Sequence, residues 1–182
     1  MRSAPAAWAG HGLPVDRLCA AALTTEVDTF AFAASLSTVD VSSDLQPRFS
    51  VPVCLATLAL DGELAAAGFL PDRLARPEVG ALAALVRLRE KPVFTAALPH
   101  ERPTRVTVHW WDGSTASATV RNARGNPDDP LTADEVAAKF RRNVEDVLDP
   151  TTADAVVAGL LDGAGGDTMA RAAAEVIGRF CP

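Results

Sequence analysis

Pro103-Thr104-Arg105-Val106-Thr107-Val108-His109-Trp110-Trp111-Asp112-Gly113 decides how this chain folds. Val106, Val108 and Trp110 alternate with Arg105, Thr107 and His109, and Ala116, Ala118 and Val120 repeat the alternation beyond the turn. Successive strand side chains point to opposite faces, so this period of two predicts a hairpin with one buried face. Asp112-Gly113 marks the turn, since glycine accepts positive φ without steric cost. A two-residue loop would set Trp110 opposite Thr115 and mix polar with apolar faces. The expectation is therefore a three-residue loop with Gly113 near a bulge, pairing Trp110 with Ala116, Val108 with Ala118 and Val106 with Val120.

Downstream of the hairpin, a proline-punctuated loop ends at Pro130. Thr132 and Glu135 then stand three apart, the spacing of a capping box. Val136, Phe140, Val144 and Val147 give the helix that follows one apolar stripe, with Lys139, Arg141 and Arg142 outside it. Two alanine-rich helices are expected over about 152–161 and 167–180, separated by Gly163-Ala164-Gly165-Gly166. Upstream, Leu23, Thr25, Val27 and Thr29 alternate with Thr24, Glu26, Asp28 and Phe30, a half-buried strand pattern. Residues 37–47 read as a polar connection. Ser50 is an N-cap and Pro52 suits a first helical turn, where its missing N–H costs little. From 51 to 60 almost every residue is apolar, so this helix is buried all round, and Asp61-Gly62 ends it. Arg76-Pro77-Glu78 opens a short helix, followed by a strand near 85–89 and a stop at Pro92. Residues 1–22 form a lead-in with a short helix from about 15 to 22.

Helices and strands are mixed and the chain ends in helices, which predicts an α+β fold. Its expected form is a small antiparallel sheet with a hairpin packed against a buried helix, followed by C-terminal helices. Three parts are expected: a lead-in at 1–22, an α+β domain at 23–150 and a helical pair at 151–182. At 182 residues with 48% apolar content, the chain can bury a core without staples. A net charge of −6 argues against a nucleic-acid surface, which needs clustered positive charge. No apolar run reaches the roughly 20 residues of a membrane span, and the N-terminus lacks a signal-peptide core. Cys19, Cys54 and Cys181 are odd in number and have neither disulfide nor zinc spacing, so a reduced, cytoplasmic protein is expected.

Three segments resemble the MmgE/PrpD family, which includes 2-methylcitrate dehydratase and cis-aconitate decarboxylase. The first runs Asp28-Thr29-Phe30-Ala31-Phe32-Ala33-Ala34, then Pro47-Arg48-Phe49-Ser50-Val51-Pro52, then Leu58-Ala59-Leu60-Asp61-Gly62. It is similar to the family's strand, its Phe-Ser-x-Pro helix opening and its Leu-Asp-Gly ending. The second is Arg105-Val106-Thr107-Val108 with Asp112-Gly113. The third is Gly125-Asn126-Pro127-Asp128-Asp129-Pro130-Leu131-Thr132 with Ala138-Lys139-Phe140-Arg141. The resemblance covers the family's smaller α+β lid domain and its closing helices. It implies a larger helical domain that carries most of the acid/base histidines, aspartate and lysines, and that is expected on a separate polypeptide. It also implies a lyase acting on a small di- or tricarboxylic acid, by dehydration or decarboxylation, with no cofactor and no metal. The alternative is a non-catalytic small-molecule-binding or protein-assembly module derived from that lid. Expected partners are the separately encoded helical domain or a second copy of the chain, with no nucleic acid and no membrane.

Such chemistry needs a base for a carbon-bound proton, an acid for the leaving group and cations for carboxylates. His11 is the nearest catalytic candidate; it also reads as an ordinary residue of a glycine-proline turn, and in register with the family it falls at a His-Gly-Leu turn. Arg48 and Ser50 are the substrate-binding candidates. Arg48 immediately precedes a helix start, where free amides and the helix dipole attract an anion. The competing reading is a plain N-cap with a surface arginine. The position after the proline of Phe-Ser-x-Pro, often tyrosine in the family, is Val53 here, and the chain has no tyrosine. His100 reads as a loop residue and His109 as hairpin packing. Cys54 reads as a small core residue, and Asp128-Asp129 is a weak metal signal without further ligands.

Overall fold

A computed structural model describes residues 22–40, 43, 45–145 and 147–161, together with Ala170 and Ala174. Residues 15–21 of the expected 15–22 helix, the glycine connector at 163–166 and most of the expected 167–180 helix lie outside the described residues; Ala22 is strand rather than helix, and Ala170 and Ala174 are helical.

The alternation upstream becomes β1, Ala22–Thr29. A short helix α1, Ala31–Ser35, follows, and a 3-10 turn, Gln46–Phe49, leads into α2, Val51–Asp61. The Ser50 side chain accepts from Val53 N and so caps α2, and Gly62 closes it at φ 75°, a left-handed geometry that glycine adopts freely. A second 3-10 turn, Ala66–Phe69, precedes α3, Pro71–Leu74, and α4, Pro77–Ala84. Then come β2, Val86–Glu90, and α5, Pro92–Ala96, so that Pro92 opens a helical turn as well as ending a strand. The hairpin is β3, Thr104–Trp110, and β4, Thr115–Val120.

These strands form a sheet in the order β2-β1-β3-β4. The fold is α+β and the sheet is mostly antiparallel, with one departure from expectation: β2 runs parallel to β1, pairing Thr25 with Val86 and Val27 with Leu88. Parallel neighbours need a long crossover, and here α2 and α4 lie within it. The hairpin register also differs from the expected one. Val108 faces Ala116, Val106 faces Ala118 and Thr104 faces Val120, while Trp110 N donates to Ser114 O at 3.0 Å. The loop is thus Trp111-Asp112-Gly113, with Gly113 at φ 81° and its amide bonded to Trp110 O at 3.0 Å. Asp112 Oδ1 accepts from the Ser114 amide at 2.9 Å, which fixes the tight turn. The shift from the expected pairing is two residues, so every side chain keeps its face.

The inner face of the sheet carries the core. Ala22, Val108 and Trp110 pack with Val53 and Ala56 of α2 and with Val79, Leu82 and Ala83 of α4. Val27, Val86 and Val106 gather round Leu55 in a second cluster. Asp61, at the end of α2, holds Arg76 before α4 through two bonds of 2.6 and 2.9 Å. That bidentate grip explains the aspartate of Leu60-Asp61-Gly62 as an inter-helix clamp. Gly68 sits against the same helix, where an added Cβ would lie 2.7 Å from Thr57 Cγ2, and Thr57 is fully buried. Gly68→Ala is expected to cost about 1–3 kcal/mol by overpacking. Urea unfolding should show a lower midpoint, and Thr57→Ser, which removes the clashing methyl, should restore part of it. Equal loss with and without Thr57→Ser would exclude this contact as the cause.

The outer face of the sheet is polar. Arg89 bonds Asp28 at 3.0 Å and Glu26 at 2.7 Å, and Lys91 lies 3.7 Å from Asp28. Asp28 is nearly buried beneath these cations.

The chain divides into two compact units, Met1–Asp129 and Pro130–Pro182. In the second, α6, Ala133–Val144, carries the full capping box of Thr132 and Glu135. Its packing differs from the expected stripe: Ala137 is its buried residue, Phe140 and Val144 are half-buried, and Val136 is exposed. Arg141 reaches Asp154 of α7, Pro150–Leu161, at 2.6 Å. Among the described residues no helix is long and apolar enough to cross a membrane.

Candidate functional site

The N-terminal end of α2 brings together the residues that the sequence singles out. Pro47 and Ser50 are buried, while Arg48 and Phe49 between them are exposed, because the 3-10 turn points these two side chains outward. The Arg48 guanidinium lies over the Phe69 ring, 5.3 Å from its centre, a cation–π contact that leaves its N–H edge open to an anion. Among the described residues no carboxylate pairs with it.

Ser50 is placed where the sequence puts it, as a cap. Its hydroxyl donates to Thr38 O and accepts from Val53 N at 3.1 Å. The free amides expected at this helix start are not free. Val51 N donates to Leu36 O at 3.0 Å, Pro52 has no N–H, and Cys54 N donates to Ser50 O at 2.9 Å. The segment 36–38 folds across the helix start: Leu36 O takes the Val51 amide and Thr38 O the Ser50 hydroxyl, while the Val53 and Cys54 amides are satisfied by Ser50 itself. What α2 offers an anion is therefore the positive end of its dipole and Arg48, without backbone hydrogen bonds.

Behind Arg48 lies a cavity of about 330 Å³, between α2 and the β3–β4 end of the sheet. Leu55 and Leu58 form its helix wall, and Val106, Ala118 and Val120 its floor. Ala118, across from Val106, contributes only a methyl group to this floor. Arg102 lines the same cavity. Its place here was not legible in the sequence, since it stands 54 positions from Arg48 in a loop and reaches the site only through the sheet. Val53, where the family often has a tyrosine, is a buried core residue of α2 and offers no proton-transfer group.

Cys54 borders this cavity, with its Sγ 3.6 Å from Pro47 O. Burial pushes its thiol up from 9.0 to about 11, so it is a neutral, unreactive group at pH 7. The sign follows from linkage. The native thiol keeps its proton where the unfolded thiol loses it, so stability present below pH 9 declines as pH rises toward 11. The Cys54→Ala variant should show a smaller alkaline loss than wild type in urea unfolding across that range. Identical slopes would contradict the burial argument.

The remaining candidates fall outside this cluster. His11, Cys19 and Cys181 lie outside the described residues. His109 is on the outer sheet face, its Nε2 3.5 Å from Glu26 Oε2, in keeping with hairpin packing. His100 is exposed in the loop before β3. Asp129 pairs with Arg124 at 3.2 Å, and among the described residues no group of three or more metal-ligating side chains comes together.

No curated protein matches the chain. The MmgE/PrpD C-terminal domain, as a family profile, matches residues 23–162. That span includes β1, the capped α2 with its Leu-Asp-Gly ending, the hairpin and the capping-box helix, and it is most of the chain: this protein belongs to the MmgE/PrpD C-terminal domain family.

Proposed function

We propose that this chain is the lid half of an MmgE/PrpD-type lyase, completed by a separately encoded helical domain. The substrate class is a small di- or tricarboxylic acid, and the reaction is dehydration or decarboxylation. In this reading Arg48 holds a substrate carboxylate at the positive end of α2, while Ser50 keeps that helix start rigid. His11 remains a candidate base from the lead-in segment. The other proton-moving groups come from the helical domain, because at the mouth of the described site Arg48 is a cation that cannot act as a base at neutral pH.

The observation that carries this reading is an exposed apolar surface beside Arg48. Leu45 is 64% exposed and Phe49 is 55% exposed, and both border a shallow depression that also takes in Leu36 and the polar Ser35, Thr38, Ser43 and Gln46. Large apolar side chains grouped in this way mark a docking surface. The helical domain would cover them and close over Arg48 at the same time.

The experiment is reconstitution of the full chain with the helical domain of a family member, followed by turnover of small carboxylic acids. Activity is expected from the mixture and from neither part alone. Arg48→Ala should lower turnover about 100-fold, the scale of losing one preorganised electrostatic group, and leave complex formation intact. Unchanged turnover in that variant would remove Arg48 from the mechanism. The second reading, a non-catalytic module, draws support from the apolar character of the cavity behind Arg48. It predicts carboxylate binding with no turnover in any combination.

A further inference from the structure

The cavity between α2 and the hairpin is lined mainly by apolar side chains, which a small di- or tricarboxylate would leave unused. The lining residues with polar side chains are Arg48, Ser50, Cys54, Arg102 and Thr104. Three of these are already committed. The Ser50 hydroxyl serves Val53 N and Thr38 O, the Thr104 hydroxyl bonds Thr29 Oγ1 at 2.8 Å, and the half-buried Cys54 thiol is neutral. That leaves two arginines among the lining residues of an otherwise apolar space. Among the described residues neither Arg48 nor Arg102 has a carboxylate partner, although the chain carries 23 acidic residues against 17 basic ones.

An apolar cavity of this size, within the range of small-molecule sites, gains by admitting an apolar ligand, because its walls lack partners for dispersion contact and hold water poorly. Two arginines with no carboxylate partner among the described residues select the other end of that ligand. We infer that this cavity binds an apolar-tailed carboxylate: a straight hydrocarbon chain seated between Leu55, Leu58 and Ala118, with its carboxylate at Arg48 and Arg102. The inference builds on the reading of Arg48 as a carboxylate cation, but it concerns the chain by itself and needs no helical domain.

The test is calorimetric titration of the full chain with hexanoate, octanoate and decanoate, using propionate and decan-1-ol as head-only and tail-only controls. Affinity is expected to rise about fourfold for each added methylene until the cavity is full. Ala118→Leu, which fills the floor, should weaken decanoate at least tenfold without lowering the thermal midpoint. Val120→Phe provides a second floor variant should the first perturb folding. Arg48→Gln and Arg102→Gln should each weaken decanoate severalfold and leave decan-1-ol unchanged. The inference is overturned if the folded chain gives no decanoate binding, if affinity is flat with chain length, or if both floor variants bind as wild type. An arginine effect that is equal for acid and alcohol would overturn the assignment of the head group. The lyase reading fails separately, through unchanged turnover of Arg48→Ala in the reconstituted complex, and that result would leave the titration standing.

Discussion

Trp110→Ala is expected to lower the unfolding free energy by about 3–5 kcal/mol, the usual cost of emptying a large aromatic site in a core. Trp110 ends β3, pairs across to Ala22 of β1 and is 4% exposed. It fills the space under α2 and α4 with Val53, Val79 and Leu82, so its removal leaves a void bordered by three elements. Those elements cannot close the void without moving the sheet against both helices. Since small domains are stable by only about 5–15 kcal/mol, the variant should unfold at far lower urea than wild type. The adjacent Trp111 supplies the control. It is 68% exposed at the hairpin tip, so Trp111→Ala should stay within about 0.5 kcal/mol of wild type. Urea titrations of both, followed by far-UV circular dichroism, would refute the packing account if the two variants lost similar stability.

The second large effect concerns assembly. Leu45→Asp and Phe49→Asp together are expected to weaken binding of the proposed helical domain at least ~100-fold, the scale of two lost apolar anchors. Both side chains project from the surface of the free chain, so its thermal midpoint should hardly change. Charge placed on a solvent-facing position is harmless until a partner tries to cover it. Size-exclusion chromatography of the mixed proteins would read the effect directly. Retained co-elution of the double variant would show that the helical domain docks elsewhere.

The parts of this fold that were legible in the sequence obey short-range rules. The period of two in 104–110 and 115–120, the Ser50 cap with Pro52, the Gly62 stop and the Thr132–Glu135 capping box each depend on residues within one turn or one hairpin. The hairpin register shows where that legibility ends. Alternation specifies which face a residue takes and repeats every two positions, so it cannot tell Val108 opposite Ala116 from Val108 opposite Ala118. Only the Asp112–Ser114 bonds and the positive φ of Gly113 choose between them. The parallel pairing of β1 with β2 was hidden because it is made by a crossover, and no pattern within either strand encodes its partner.

The candidate site divides in the same way. Arg48 and Ser50 could be found because they adjoin a helix start that the sequence announces. That the Val51 amide is already bonded could not, since its acceptor on Leu36 is fifteen positions away and arrives by tertiary folding. Arg102 shares a cavity with Arg48 only because β3 lies beside β1, a neighbourhood that neither residue's local sequence implies.

Strand β1 is first in order along the described chain yet stands inside the sheet, with β2 on one side and β3 on the other. Its two ladders are therefore completed by segments that a ribosome makes later, β2 first and β3 after it. During synthesis its Val27 and Thr25 amides and carbonyls wait on water for partners that have not yet been translated. Contacts so distant along the chain slow the search for the native state. A nascent polypeptide halted before Trp110 would expose an unfinished strand edge, which is the kind of surface that chaperones shield and that stray strands pair with.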